Sequence, residues 1–234
     1  MRTGWCLAVG TVVLAGLASP GMAEELSSMA RGGALYDSWF DVLDAKRPAD
    51  THKAWPASNT KKKGDVTWRC KSCHGWDLKG KDGAYASGSY QTGIGGLKAL
   101  MGGDPAKVVA AIKDQTHGMG TLMSEQDMQD LAVFITKGQV DMDPLIGADK
   151  KILGGNPSQG AGYFNTICAG CHGKDGLKPK EMPPLGKLVR ENPWEVLHKL
   201  QNGQPDEPMP ALRALPMQIS VDILSHLLTL PQER

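Results

Sequence analysis

Residues 68–80 read WRCKSCHGWDLKG, with Cys70 and Cys73 three apart and His74 directly after the second. Residues 167–176, ICAGCHGKDG, repeat the arrangement as Cys168, Cys171 and His172, each 98 positions further on. Three chemistries use paired cysteines. A disulfide suits an oxidising compartment. A structural zinc site needs four ligands, with a second pair at a suitable distance. Covalent haem attachment uses C-x-x-C-H itself: each thiol adds to one vinyl group and the adjacent histidine supplies the proximal nitrogen to iron. A redox C-x-x-C needs no such histidine, and the motif occurs twice. The reading therefore favours haem attachment at both sites, although spacing alone leaves the other two open.

The bulk properties fit two small units. The chain has 234 residues, enough for one large domain or two small ones. Its start, MRTGWCLAVGTVVLAGLASPGMAEEL, reads as a secretory signal. Arg2 is the first charge, an apolar run extends from Trp5 to about Ala18, and Gly21 and Ala23 suit a cleavage site. The run is shorter than the ~20 residues of a spanning helix. Cleavage after Ala23 removes Cys6 and leaves four cysteines, all in the two motifs. It also leaves 25 of the 26 basic residues against 25 acidic ones. This balance lacks the basic footprint of a nucleic-acid binder. Aromatic residues make up only 6% and glycines number 29. Such a core is weak for this length, and a large apolar prosthetic group in each half would make up the shortage.

The elements that must position these motifs read as helices. In the second half, Asn192 caps and Pro193 opens NPWEVLHKLQNG, with Val196, Leu197 and Leu200 on one face and Gly203 at its end. SVDILSHLLTLP reads as a helix capped by Ser220, with Ile223, Leu224, Leu227 and Leu228 as its stripe. In the first half, Asp104 and Pro105 open a helix that buries Val108, Val109 and Ile112. Ser124, with Asp127 as a box-like partner, opens one that buries Met128, Leu131, Phe134 and Ile135. No convincing strand is present. Residues 142–158, polar and punctuated by Pro144 and Pro157, read as a linker.

The chain resembles a di-haem c-type cytochrome made of two fused class I cytochrome c domains. QGAGYFNTICAGCHGKDG resembles the family's first helix and haem motif. MPPLGKL resembles the loop whose proline carbonyl accepts a hydrogen bond from the proximal histidine, and EPMPAL the axial methionine segment. The resemblance implies an all-α fold of two helical domains, each wrapped around one covalently attached haem. It divides the chain into a signal peptide at 1–23, a first domain at 24–141, the linker at 142–158 and a second domain at 159–234. It implies two haem c groups, held by Cys70 and Cys73 and by Cys168 and Cys171. His74 and His172 are then proximal ligands, Met209 is the sixth ligand of the second haem, and Pro183, or next Pro184, is the carbonyl behind His172. The first haem's sixth ligand falls in HGMGTLM, residues 117–123. There His117 keeps the family's spacing, Met119 keeps its residue type with a shorter reach, and Met123 abuts the next helix. The reading favours His117, then Met119, then Met123, with an open site as the remaining alternative.

The first half departs from the family. Residues 30–43 resemble its first helix, but about 25 residues then intervene before Cys70, in DAKRPADTHKAWPASNTKKKGDVTW. This insertion could cover the haem edge, dock a partner or form an ordered surface loop. Lys61–Lys63 read as a solvated run. His52, His198 and His226 read as surface or packing residues rather than ligands. The expected function is an exported, periplasmic carrier of single electrons, meeting redox protein partners transiently or as a subunit of a complex. No nucleic acid and, after signal cleavage, no membrane span is expected. The alternative is a haem oxidoreductase acting on a small sulfur compound or peroxide, which needs a displaceable sixth ligand.

Overall fold

The computed structural model describes residues 20–234, so most of the expected export signal lies outside the described residues. Within them the chain is all-α, without strands; two isolated bridges pair Gly80 with Gly95 and Ile146 with Ile152. Among the described residues no helix is long and apolar enough to cross a membrane.

The first half is built from α1 (Pro20–Val42), α2 (Cys70–His74), α3 (Pro105–Lys113) and α4 (Glu125–Lys137). The expected helix at 30–43 extends back to Pro20. It also breaks at Ser38, whose backbone is extended at φ −156°. Ser38 Oγ donates to Asp41 Oδ2 at 2.6 Å, so a serine that could cap starts a fresh turn here. The other first-half expectations match closely. Asp104 accepts the Ala106 N–H, and Ser124 and Asp127 form a reciprocal capping box. Val108, Ile112, Met128, Leu131, Phe134 and Ile135 are buried together with Leu35, Tyr36 and Trp39 of α1.

The second half repeats the plan in α5 (Pro157–Ile167), α6 (Ala169–His172), α7 (Leu185–Glu191), α8 (Pro193–Asn202) and α9 (Met217–Leu227). Asn192 caps α8 and Gly203 ends it at φ +82°, as expected. Ser220 does not cap α9. That helix begins at Met217 behind Pro216, and the buried Ser220 hydroxyl accepts from Gln201 Nε2 at 2.9 Å. A tertiary partner has taken the oxygen that a cap would use. Residues 142–158 are packed rather than free. Met142 and Ile146 are buried in the second core, and α5 already starts at Pro157 with Asn156 as its cap. Two apolar residues one turn apart outweigh the polar composition of that segment.

In both halves the first and last helices cross closely over a glycine. A Cβ on Gly32 would lie 2.1 Å from the Asp130 carbonyl oxygen, and one on Gly160 would lie 2.0 Å from that of Asp222. The halves meet where α1 packs on α8. Gly33 lets Asn202 approach, since a Cβ there would lie 2.2 Å from its side-chain carbon. Adjacent glycines thus serve two different crossings. His198 Nε2 donates to the Gly33 carbonyl at 2.8 Å, and its ring packs among Tyr36, Trp76 and Phe134. Buried Asp37 receives Lys199 Nζ at 2.6 Å and the Arg69 guanidinium. Burial by itself raises its carboxyl, but Lys199 and Arg69 outweigh that and bring it down to about 2. A charged carboxylate sealed between the halves is tolerable because both cations touch it.

Candidate haem sites

Each C-x-x-C-H segment folds as a single helical turn closed by a glycine. Gly75, at φ +82°, donates to the Lys71 carbonyl, and Gly173, at φ +72°, donates to that of Ala169. Cysteines three apart on such a turn share one face. Burial pushes the Cys70 thiol up to about 12, and Cys73 and Cys168 to about 11.

The histidine geometry follows from the glycine turns. His74 Nδ1 lies 2.8 Å from the Gly95 carbonyl. Its proton is therefore on Nδ1, and Nε2 keeps its lone pair for a metal. His172 Nδ1 faces the Lys178 carbonyl at 3.3 Å. The ring thus faces this carbonyl rather than that of Pro183, which the resemblance implies. Gly173 and Gly176, both at positive φ, turn the chain back so that Lys178 N donates to the His172 carbonyl at 3.0 Å. That brings the Lys178 carbonyl beside the ring. In the first half the matching bond is Gly80 N to His74 O at 2.8 Å. There the loop 81–94 intervenes, and Gly95, bridged to Gly80, supplies the acceptor instead.

The structure brings His117 close to His74. Their ring centroids lie 6.4 Å apart at an interplanar angle of 26°. Two imidazoles on opposite sides of one metal ion, each bonded at about 2 Å, have a spacing of this size. Asp114 Oδ1 accepts from His117 N at 2.9 Å and faces its Nδ1 at 3.1 Å. The carboxylate draws the ring proton to Nδ1 and leaves the Nε2 lone pair free. Met119 and Met123, the other candidates, are each 6% exposed and belong to the first hydrophobic cluster. In the second half Met209 sits in the loop between α8 and α9, half-buried against the second cluster. Met182 is tied by its carbonyl to Arg234, and Met217 opens α9. These donor sets fit haem: two cysteine thiols on one turn, a proximal imidazole with a free Nε2, and, for the first site, a second imidazole nearby. When bound, the iron supplies a one-electron redox couple. The chain's residues set its ligation, its burial and its access to water.

Sequence reasoning did not find Gly95, Lys178 or Asp114. Of these, Asp114 was visible as a carboxylate three residues before His117; the two carbonyls belong to turns that only the folded chain closes.

The family described as cytochrome C oxidase, cbb3-type, subunit III matches residues 155–226. The matched span runs from just before α5 almost to the end of α9 and includes Cys168, Cys171, His172 and Met209. The match supports a c-type cytochrome. A c-type cytochrome domain holds its haem covalently and transfers electrons, which agrees with the all-α fold around the second motif. No curated protein matches the chain.

Proposed function

We propose that the protein is an exported, periplasmic di-haem c-type cytochrome that passes single electrons between redox partners. The first haem is held by Cys70 and Cys73, with His74 and His117 as axial ligands. The second is held by Cys168 and Cys171, with His172 and Met209. The observation that supports this reading is the pair His74 and His117, whose rings lie 6.4 Å apart: a second imidazole is close to the first motif, in the half that the family match does not cover. With a histidine and a second donor from this chain both holding it, a bound haem would supply a one-electron couple without taking a substrate. Methionine ligation raises a haem potential relative to histidine. With Met209 as its ligand, a haem at the second site would hold the higher potential. Partners meet its edge through small, transient contacts. The matched family is named for an oxidase subunit, so stable docking in a larger complex is the close variant of this reading.

Intact mass and optical spectra of the purified protein test the proposal. The mass should exceed that of the polypeptide starting at Glu24 by two haems. Carbon monoxide should leave the reduced spectrum unchanged. Met209→Ala should abolish the near-infrared methionine-to-iron band and leave the first haem's signal intact. A single haem mass, or carbon monoxide binding to the first haem as purified, sinks the reading.

A further inference from the structure

The insertion between α1 and α2 is folded back onto the first site. Its His52 is buried, and the Ala54 amide N–H donates to His52 Nδ1 at 3.1 Å. A backbone amide can only donate, so Nδ1 is the acceptor and the ring proton sits on Nε2. Nε2 lies 3.0 Å from the His117 carbonyl oxygen and donates to it. The ring is held from behind by Trp68, edge-on at 4.4 Å between centroids and 80° between planes. Thr67 Oγ1 accepts the His52 backbone N–H at 2.9 Å. Trp68 is itself fixed, its indole donating to Asp50 O at 2.8 Å and its carbonyl accepting from Trp39 at 3.1 Å.

We propose that residues 44–69 form a strap that holds the distal side of the first haem, with His52 as a positioning residue for His117. This inference rests on His117 being that haem's ligand, as proposed above. Thr67 and Trp68 lie directly ahead of Arg69 and Cys70, so one imidazole links the run into the cysteine turn to the loop across from it. A second contact joins the same two segments. The Lys53 side chain lies over Gly118, where an added Cβ would be 3.6 Å from Nζ. His117 is thus held twice, by Asp114 at its ring and by His52 at its backbone. In the loop that carries Met209, the backbone bond is local, from Met209 N to Glu207 O at 2.8 Å. The strap keeps the distal loop from swinging away, and so keeps outside ligands off the first iron.

Cyanide binding to the oxidised protein, followed by paramagnetic resonance of the first haem, tests the strap. His52→Phe keeps an aromatic ring against Trp68 but has no donor, whereas His52→Gln keeps an N–H that can reach the carbonyl. His52→Phe should take up cyanide at the first haem about tenfold faster than the unaltered protein, the factor that one lost hydrogen bond supports. His52→Gln should stay near the unaltered rate, and the second haem's signal should not change in either. Thr67→Val, which removes the anchor of the His52 backbone, should give a smaller acceleration and serves if His52→Phe does not fold. His117→Ala separates the two claims. If it makes the first haem high-spin while His52→Phe and Thr67→Val bind cyanide at the unaltered rate, the strap is wrong and the ligation stands. Equal acceleration in His52→Phe and His52→Gln also refutes the strap, because the donor would then not matter. If His117→Ala leaves the first-haem signal unchanged, the ligation falls and the strap with it.

Discussion

Between the cysteines of the first motif, Lys71 and Ser72 are buried, whereas in the second Ala169 is half-buried and Gly170 is exposed. The backbones of the two turns match, down to the closing glycine. The surroundings differ. Trp76, two residues after His74, is pressed against His198 of α8 and lies beneath Lys71 Nζ at 4.6 Å and Lys199 Nζ at 5.4 Å. Burial, with repulsion from Arg69, brings the Lys71 ammonium down to about 7. The second turn has no such cover. One local motif therefore yields an enclosed site and an open one, because the second half and the insertion both close over the first. Burial of this kind lowers solvent access and tunes a metal site from beyond its ligands.

The largest test of this comparison removes each attachment in turn. Cys168→Ala with Cys171→Ala should remove one haem mass and the near-infrared methionine band together. Cys70→Ala with Cys73→Ala should remove one haem mass and leave that band. If either pair can be deleted without loss of mass, that half carries no covalent haem. A smaller effect asks where the halves are alike. Gly32→Ala and Gly160→Ala each drive a Cβ against a backbone oxygen that cannot step aside. Each should destabilise its helix crossing by about 2–3 kcal/mol, read as matched losses in thermal unfolding followed by circular dichroism. Strongly unequal losses would show that the two crossings are not equivalent.

The third test concerns the seam. Burial brings His198 from its ordinary 6.5 down to about 4. Between those values the unfolded chain binds a proton that the folded chain refuses. The His198 contribution to stability is therefore full above pH 6.5, falls as pH drops toward about 4, and is gone below. The shift corresponds to about 3 kcal/mol. Denaturant unfolding measured across that window should show the slope, and His198→Gln should flatten it. A slope that persists in His198→Gln would assign the pH dependence to other groups. Asp37 acts in a lower window. Its stabilisation is present above 3.8 and is lost as pH falls through about 2.

Several features of this chain were legible without coordinates because their causes are local. The capping box at Ser124 and Asp127, the Asn192–Pro193 start and the Gly203 stop depend on residues within a few positions of one another. The C-x-x-C-H turns do too, which is why their repetition could be read directly. The helical stripes of α3, α4 and α8 follow from periodicity alone. Tertiary structure decided what distant residues share. Ser220 looks like a cap but its hydroxyl is used by Gln201 from another helix. Residues 142–158 look like a linker, yet Met142 and Ile146 find a core to enter. His198 looks like an ordinary helix residue, and only the approach of Gly33 makes it the seam between the halves. The acceptors behind His74 and His172, at Gly95 and Lys178, are carbonyls, and every residue has one. Side-chain type cannot mark them; only the return of the chain past the ring selects which carbonyl is used.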